Sequence, residues 1–242
     1  MGRPLAEQRV VITGAAHGLG AALARAFAVA GSRLVLIDRD ADALAKLGES
    51  LSGQVQLIQA DLADATATKT AIEKIDPARD PIDTLIHNAA ILRPEPFAQV
   101  SYATFRATVD VGIQAGYLLS QAVWPQMLNR GGALIFVSSQ SGIKGFADET
   151  AYCVAKHGLE GLSKCLALEA LDRDVVACTI TPGMAMNTPM SEQNYPPELK
   201  KKWVDPDVLA AAFLHIAQSR DPSFSGQRLN AWELSEQHRN PS

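Results

Sequence analysis

The chain has 242 residues, 47% hydrophobic and 20% charged, which is the composition of a globular protein and not of a disordered one. Its net charge is −4, from 22 basic and 26 acidic residues, and this argues against binding nucleic acid through its phosphates. The apolar runs are short and interrupted by Gly, Pro or charge, so a membrane span is not expected.

The first residues, Met1 to Arg9, lack the apolar stretch of a signal peptide, and Ala6 stands where a myristoylation signal needs Ser or Thr. Cys153, Cys165 and Cys178 form no CxxC pair, and the histidines (His17, His87, His157, His215, His238) show no HExxH spacing. The expectation is reduced thiols, a cytoplasmic location and no metal.

In chain order, Arg9-Val10-Val11-Ile12-Thr13 reads as a buried strand. The turn Gly14-Ala15-Ala16-His17-Gly18-Leu19-Gly20 follows, then a helix with Leu19, Leu23 and Phe27 on one face, stopping at Gly31. Arg33 to Ile37 is a second strand, ending at Asp38. The alternation continues with a helix over 40–51, a strand over 55–60 ending at Asp61, a helix to Ile75, and a strand Thr84 to His87 ending at Asn88. A long helix is predicted over about 102–128, then a strand over 133–137 ending at Ser138-Ser139, a helix over 152–171, and a strand over 175–180 ending at Pro182-Gly183. Strands alternating with helices imply a doubly wound parallel α/β sheet in a single domain spanning 1–242. Residues 184–205, with proline and Lys200-Lys201-Lys202, read as an exposed substrate loop with helical pieces.

The polar residues gather at the carboxyl ends of the predicted strands, the edge at which open α/β sheets bind ligands. A glycine turn opening a helix lets backbone approach a pyrophosphate, which the free N–H groups and dipole of the helix then hold. Gly14, Gly18 and Gly20 suit this, although their spacing is not the general G-x-G-x-x-G. Asp38, 18 residues after Gly20, can accept both ribose hydroxyls of an adenosine half and would repel a 2′-phosphate, which favours NAD over NADP. Arg39 beside it could pair with a 2′-phosphate. The competing reading of Asp38 is a helix N-cap. Asp61 carries the same competing reading and could otherwise touch the adenine edge.

Tyr152 and Lys156, four residues apart on a helix, share a face. An ammonium near a phenol favours the phenolate, and Ser139, 13 residues before Tyr152, can donate to the same substrate oxygen. Together they can move a proton to or from a carbinol oxygen while hydride passes to a cofactor.

These segments, with Asp61-Leu62, His87-Asn88-Ala89-Ala90, Tyr152-Cys153-Val154-Ala155-Lys156 and Pro182-Gly183, resemble the short-chain dehydrogenase/reductases over nearly the whole chain. The resemblance implies a Rossmann fold of seven parallel strands and an NAD(P)-dependent alcohol/ketone oxidoreductase. It assigns Tyr152 as general acid/base, Ser139 as substrate-oxygen donor and Lys156 as ribose ligand and tuner of the tyrosine. It also implies cofactor contacts from His17, Leu19, Leu62, Asn88, Ala89, Ala90, Pro182, Gly183 and Thr188, and a homotetramer or dimer built on the helices over 102–128 and 152–171.

Three departures stand out. Ala90 replaces the glycine of the usual N-N-A-G. Gly112 stands where many members carry an active-site asparagine; glycine can keep a helix bend but supplies no side chain, leaving a proton relay through Asp110 or water. The Pro182–Thr188 spacing is one residue long, so Asn187 competes with Thr188 for the carboxamide. Substrate-pocket candidates are Ile91, Arg93, Gln140, Ser141, Phe146, Met184, Met186 and the loop through Tyr195 and Trp203. Two other readings remain: a cofactor-binding sensor or scaffold with impaired catalysis, for which Gly112 speaks, and a lyase or epimerase on a similar scaffold.

Overall fold

Alternation with a period of two builds the core. A strand buried on both faces sends successive side chains into opposite layers. In a computed structural model describing residues 2–239, β1 (Arg9–Thr13) sends Val10 and Ile12 to one layer and Val11 to the other. The same division holds in β2 (Arg33–Asp38), β4 (Thr84–His87), β5 (Gly132–Val137) and β6 (Val175–Thr181). One layer is filled by α1 (Gly18–Val29), α2 (Ala41–Ser50) and α8 (Ala210–Ser219). The opposite layer takes α3 (Ala65–Ile75), α5 (Ala115–Arg130) and α6 (Thr150–Glu169). Leu19, Leu23 and Phe27 of α1 are all buried, as their spacing predicts.

With β3 (Val55–Gln59) and β7 (Arg228–Asn230), the sheet has seven strands in the order β3-β2-β1-β4-β5-β6-β7, every pairing parallel. The fold is therefore the doubly wound α/β architecture expected. The order reverses between β1 and β4, and this switch point opens a crevice beyond the strands' carboxyl ends. No helix among the described residues is long and apolar enough to cross a membrane.

The helix predicted over 102–128 is three pieces. A π-helical segment, Asp110–Gln114, joins α4 (Tyr102–Val109) to α5. It admits an extra residue into the turn, a local bulge typical of functional sites. The helix predicted over 152–171 runs over Thr150–Glu169 instead. The proline-bearing stretch folds into α7 (Pro189–Asn194) and a 3-10 turn (Pro197–Lys202), tied together by a Met186–Val204 bridge. The chain's last described helix is α9 (Ala231–Arg239).

Candidate active site

The glycine turn is shaped by close approach. Gly14 leaves β1 at φ +62°, and a Cβ there would lie 2.9 Å from Ala89 Cα. At Gly20 a Cβ would meet the Gly14 carbonyl oxygen at 2.0 Å, so α1 packs on the turn only because position 20 is bare. Asn88 fastens this turn to β4: its Nδ2 donates to the carbonyls of Thr13 (3.1 Å) and Gly14 (3.0 Å). Thr188 is buried against the turn, its methyl 2.9 Å from where a Gly18 Cβ would stand. Asn187 is exposed and held by its backbone to Val204, so Thr188 is the residue turned toward the glycines.

Asp38 lies at the end of β2, beside the turn. One carboxylate oxygen accepts from Ala16 N at 2.9 Å and the other from Asp40 N at 3.0 Å. It is not the helix cap: Asp40 caps α2 through Ala43 N. The cap of α3 is likewise Asp64, while the exposed Asp61 carboxylate accepts from Ala63 N. The capping alternatives for Asp38 and Asp61 are thereby corrected. Each carboxylate keeps free lone pairs, since each oxygen can accept more than once. His17 is half-exposed and paired with Asp40 at 2.9 Å; Arg39 is exposed; Leu19 and Leu62 point into the core. Ala89, Ala90, Pro182 and Gly183 line the carboxyl edge, and Gly183 packs on the Asn230 carboxamide.

Ser139, Tyr152 and Lys156 converge at the same edge. The Lys156 Nζ stands 5.4 Å from the centre of the Tyr152 ring and donates to the Val137 carbonyl at 2.6 Å. Burial lowers the lysine to about 8, opposed by the charge of Glu160. Burial pushes the Tyr152 phenol above its ordinary 10; a hydrogen bond with Ser139 pulls it back, and Tyr195, Glu149 and Cys153 raise it further. A phenol so placed needs positive charge nearby to become a base at neutral pH.

His87 holds the π segment. Thr13 Oγ1 accepts from the amides of Asn88 (3.0 Å) and Ala89 (3.1 Å), so its own proton goes to His87 Nδ1 at 3.0 Å. The imidazole then donates through Nε2 to the carbonyls of Val111 and Gly112, both at 3.1 Å. On the other side, a Cβ at Gly112 would lie 2.6 Å from Ala155 Cβ on α6. The bend therefore persists without an asparagine. Asp110, the relay alternative, is engaged by Arg106 at 3.1 Å.

Burial and the nearby Lys156 charge push His87 down to about 4. Its neutral form stabilises the fold fully above pH 6.5, and that share is lost as pH falls from 6.5 toward 4. The loss amounts to about 3 kcal/mol. Urea denaturation at stepped pH is expected to show this decline and a flatter one in His87→Gln; equal slopes would sink the assignment.

Among the substrate-pocket candidates, Ser141 is buried and bonded to Glu149, while Arg93, Gln140 and Met184 are exposed around the cleft. Phe146 departs from expectation: it lines a surface groove of about 460 Å³ with Thr150, Cys153, Val154 and His157, on another face of α6 from Tyr152. Three residues were not evident in the sequence: Glu149, Glu160 and Arg228. Glu160 accepts from Ser138 Oγ, from Thr179 Oγ1 at 2.7 Å and from Arg228 Nε at 3.2 Å. Arg228 also donates to the Ser139 carbonyl at 3.1 Å, so β7 grips the strand end that carries Ser139.

The family model described as short chain dehydrogenase matches residues 8–199. The chain is 30% identical over 232 residues to D-threitol dehydrogenase of Mycolicibacterium smegmatis, covering 90% of this chain and 89% of that one. It is 34% identical over 211 residues to D-erythrulose reductase of Gallus gallus, covering 86% and 80%. A solved structure from Pseudomonas syringae, described as a short chain dehydrogenase, superposes with a TM-score of 0.86 at 31% identity over 96% of this chain and 98% of that one. Another solved structure, from Beutenbergia cavernae, is described as an NAD(P) dependent gluconate 5-dehydrogenase with NADP bound at low occupancy. It shares the fold at a TM-score of 0.85 and 24% identity, over 96% of this chain and 99% of that one. With the glycine turn, the seven-stranded order and the serine, tyrosine and lysine at one edge, the chain belongs to the short-chain dehydrogenase/reductase family, oxidoreductases of alcohols and ketones.

Proposed function

We propose that this protein oxidises a neutral secondary alcohol of the polyol type, or reduces the matching ketone, with NAD(H) as the preferred cofactor. The observation that carries this reading is the convergence of Ser139, Tyr152 and Lys156 on the crevice floored by Gly14 and Asn88. The D-threitol and D-erythrulose enzymes among the relatives support the substrate class.

The cradle fits a dinucleotide: Gly14 and Gly18 take positive φ, and Gly20 leaves no room for a side chain. The Gly14–Gly20 turn and the start of α1 would hold the pyrophosphate, Asp38 the adenosine ribose with Asn88 beside it, and Lys156 and Thr188 the nicotinamide half. The cofactor, when bound, supplies the hydride acceptor or donor. Ser139 donates to the substrate oxygen, Tyr152 takes its proton, and Lys156 keeps the phenolate favourable. The sensor reading rests on Gly112 alone, and His87 with Ala155 maintains the bend there. Residues 184–205 act as the substrate loop of a single domain, and the protein works in the cytoplasm as a homotetramer or dimer.

The experiment is to follow formation of reduced cofactor with NAD or NADP and a panel of polyols at alkaline pH. Wild type is expected to favour NAD. Asp38→Asn keeps an acceptor for Ala16 and removes the charge facing a 2′-phosphate. It is expected to shift the NAD/NADP ratio of kcat/KM toward NADP by about 10- to 100-fold, the worth of charge-assisted bonds and of relieved repulsion. A wild type that prefers NADP would overturn the account of Asp38.

A further inference from the structure

Glu149 immediately precedes α6, three residues before Tyr152, and none of the roles above uses it. Its Oε2 accepts from the buried Ser141 hydroxyl at 2.8 Å, and Ser141 Oγ receives a contact from Ser139 Oγ at 3.4 Å. A row of polar atoms thus leads from the hydroxyl that grips the reacting oxygen to a half-buried carboxylate. Among the described residues, no Lys, Arg or His makes an ion pair with Glu149, and its second oxygen accepts no hydrogen bond. Tyr195 of the 184–205 segment belongs to the same cluster, since the Glu149 charge raises both the Tyr195 and the Tyr152 phenols.

A carboxylate is acceptor-only, so its natural ligand is a hydroxyl that donates. An uncompensated negative charge beside the reacting centre also repels any substrate carrying a carboxylate of its own.

We propose that Glu149, oriented by Ser141, is the subsite for a second hydroxyl on the carbon adjacent to the reacting one. This selects neutral vicinal diols and α-hydroxyketones and rejects sugar acids. The inference rests on the oxidoreductase reading above and adds to it a residue and a reason for selectivity. Sites built to receive a substrate hydroxyl discriminate strongly against analogues that lack it, because the buried acceptor is left unpaired.

The test measures kcat and KM of the full chain with NAD for three probes: butane-2,3-diol, butan-2-ol and gluconate. Wild type is expected to favour the diol over butan-2-ol in kcat/KM by about 10- to 100-fold. Glu149→Ala is expected to erase most of that preference, mainly through KM of the diol. Glu149→Gln, isosteric but uncharged, is expected to keep part of the diol preference and to raise gluconate relative to the diol by about 10-fold or more. The butan-2-ol rate in each variant serves as the control for folding and for Tyr152. Equal losses on all three probes, or a wild type indifferent to the second hydroxyl, would overturn the subsite while leaving the oxidoreductase reading in place. Inactivity with every alcohol would overturn that reading and the subsite together.

Discussion

Tyr152→Phe is expected to lower kcat by about 100-fold or more while leaving cofactor binding nearly unchanged, in line with the worth of a positioned acid/base group. The ring stays; only the hydroxyl goes. The placement of its ring under the Lys156 ammonium is therefore preserved, and the Thr13–His87–Gly112 connections do not pass through it. What is lost is the one group able to take the carbinol proton beside Ser139. Steady-state rates with and without the substitution, alongside fluorescence titration of the reduced cofactor, separate chemistry from binding. A variant that turns over at the wild-type rate would remove Tyr152 from the mechanism. The lysine gives the pH sense. Its ammonium supports the phenolate and, in the free protein, is lost as pH rises through about 8. A bound nucleotide that adds contacts to Nζ is expected to carry that limit upward.

Glu160→Ala is expected to cost about 3–5 kcal/mol of stability, because it leaves a mostly buried guanidinium without its partner. The side chains of Glu160 and Arg228 are 7% and 22% exposed. The carboxylate also satisfies Ser138 and Thr179, so its removal strands one hydroxyl just past β5 and one on β6 as well as the arginine. Arg228 spans Glu160 and the Ser139 carbonyl, so the damage is expected to reach Ser139. Thermal and urea unfolding of the variant measure the stability loss. The double variant Glu160→Ala with Arg228→Met is expected to recover part of it, since no lone charge then remains. Failure of the second change to recover anything would mean that the hydroxyls, and not the ion pair, carry the cost.

Most of the sheet was legible because its strands are continuous apolar runs ending in Gly, Asp, Asn or Ser. Runs such as Val10-Val11-Ile12 and Leu34-Val35-Leu36-Ile37 have few alternatives to a doubly buried strand. β7 was not located from its residues: Arg228-Leu229-Asn230 is three residues long, only half-buried, and pairs solely with β6. The convergence of Ser139, Tyr152 and Lys156 could be read from spacing, since Tyr152 and Lys156 are one helical turn apart and Ser139 closes a strand. Glu160–Arg228 could not, because 68 positions separate two residues that meet only after the last strand joins. The π segment was equally hidden. An extra residue in one turn leaves the apolar pattern on either side nearly intact, so 102–128 read as one helix. Asp38 and Asp61 looked like helix caps because Asp40 and Asp64, which do the capping, follow within three positions.

The contact of Gly112 with Ala155 has an evolutionary corollary. Any side chain introduced at 112 collides with the methyl of 155, and a smaller residue at 155 alone opens a void beneath α6. The two positions are therefore epistatic: a lineage acquiring an asparagine at 112 must alter 155 in the same step or traverse a less stable intermediate.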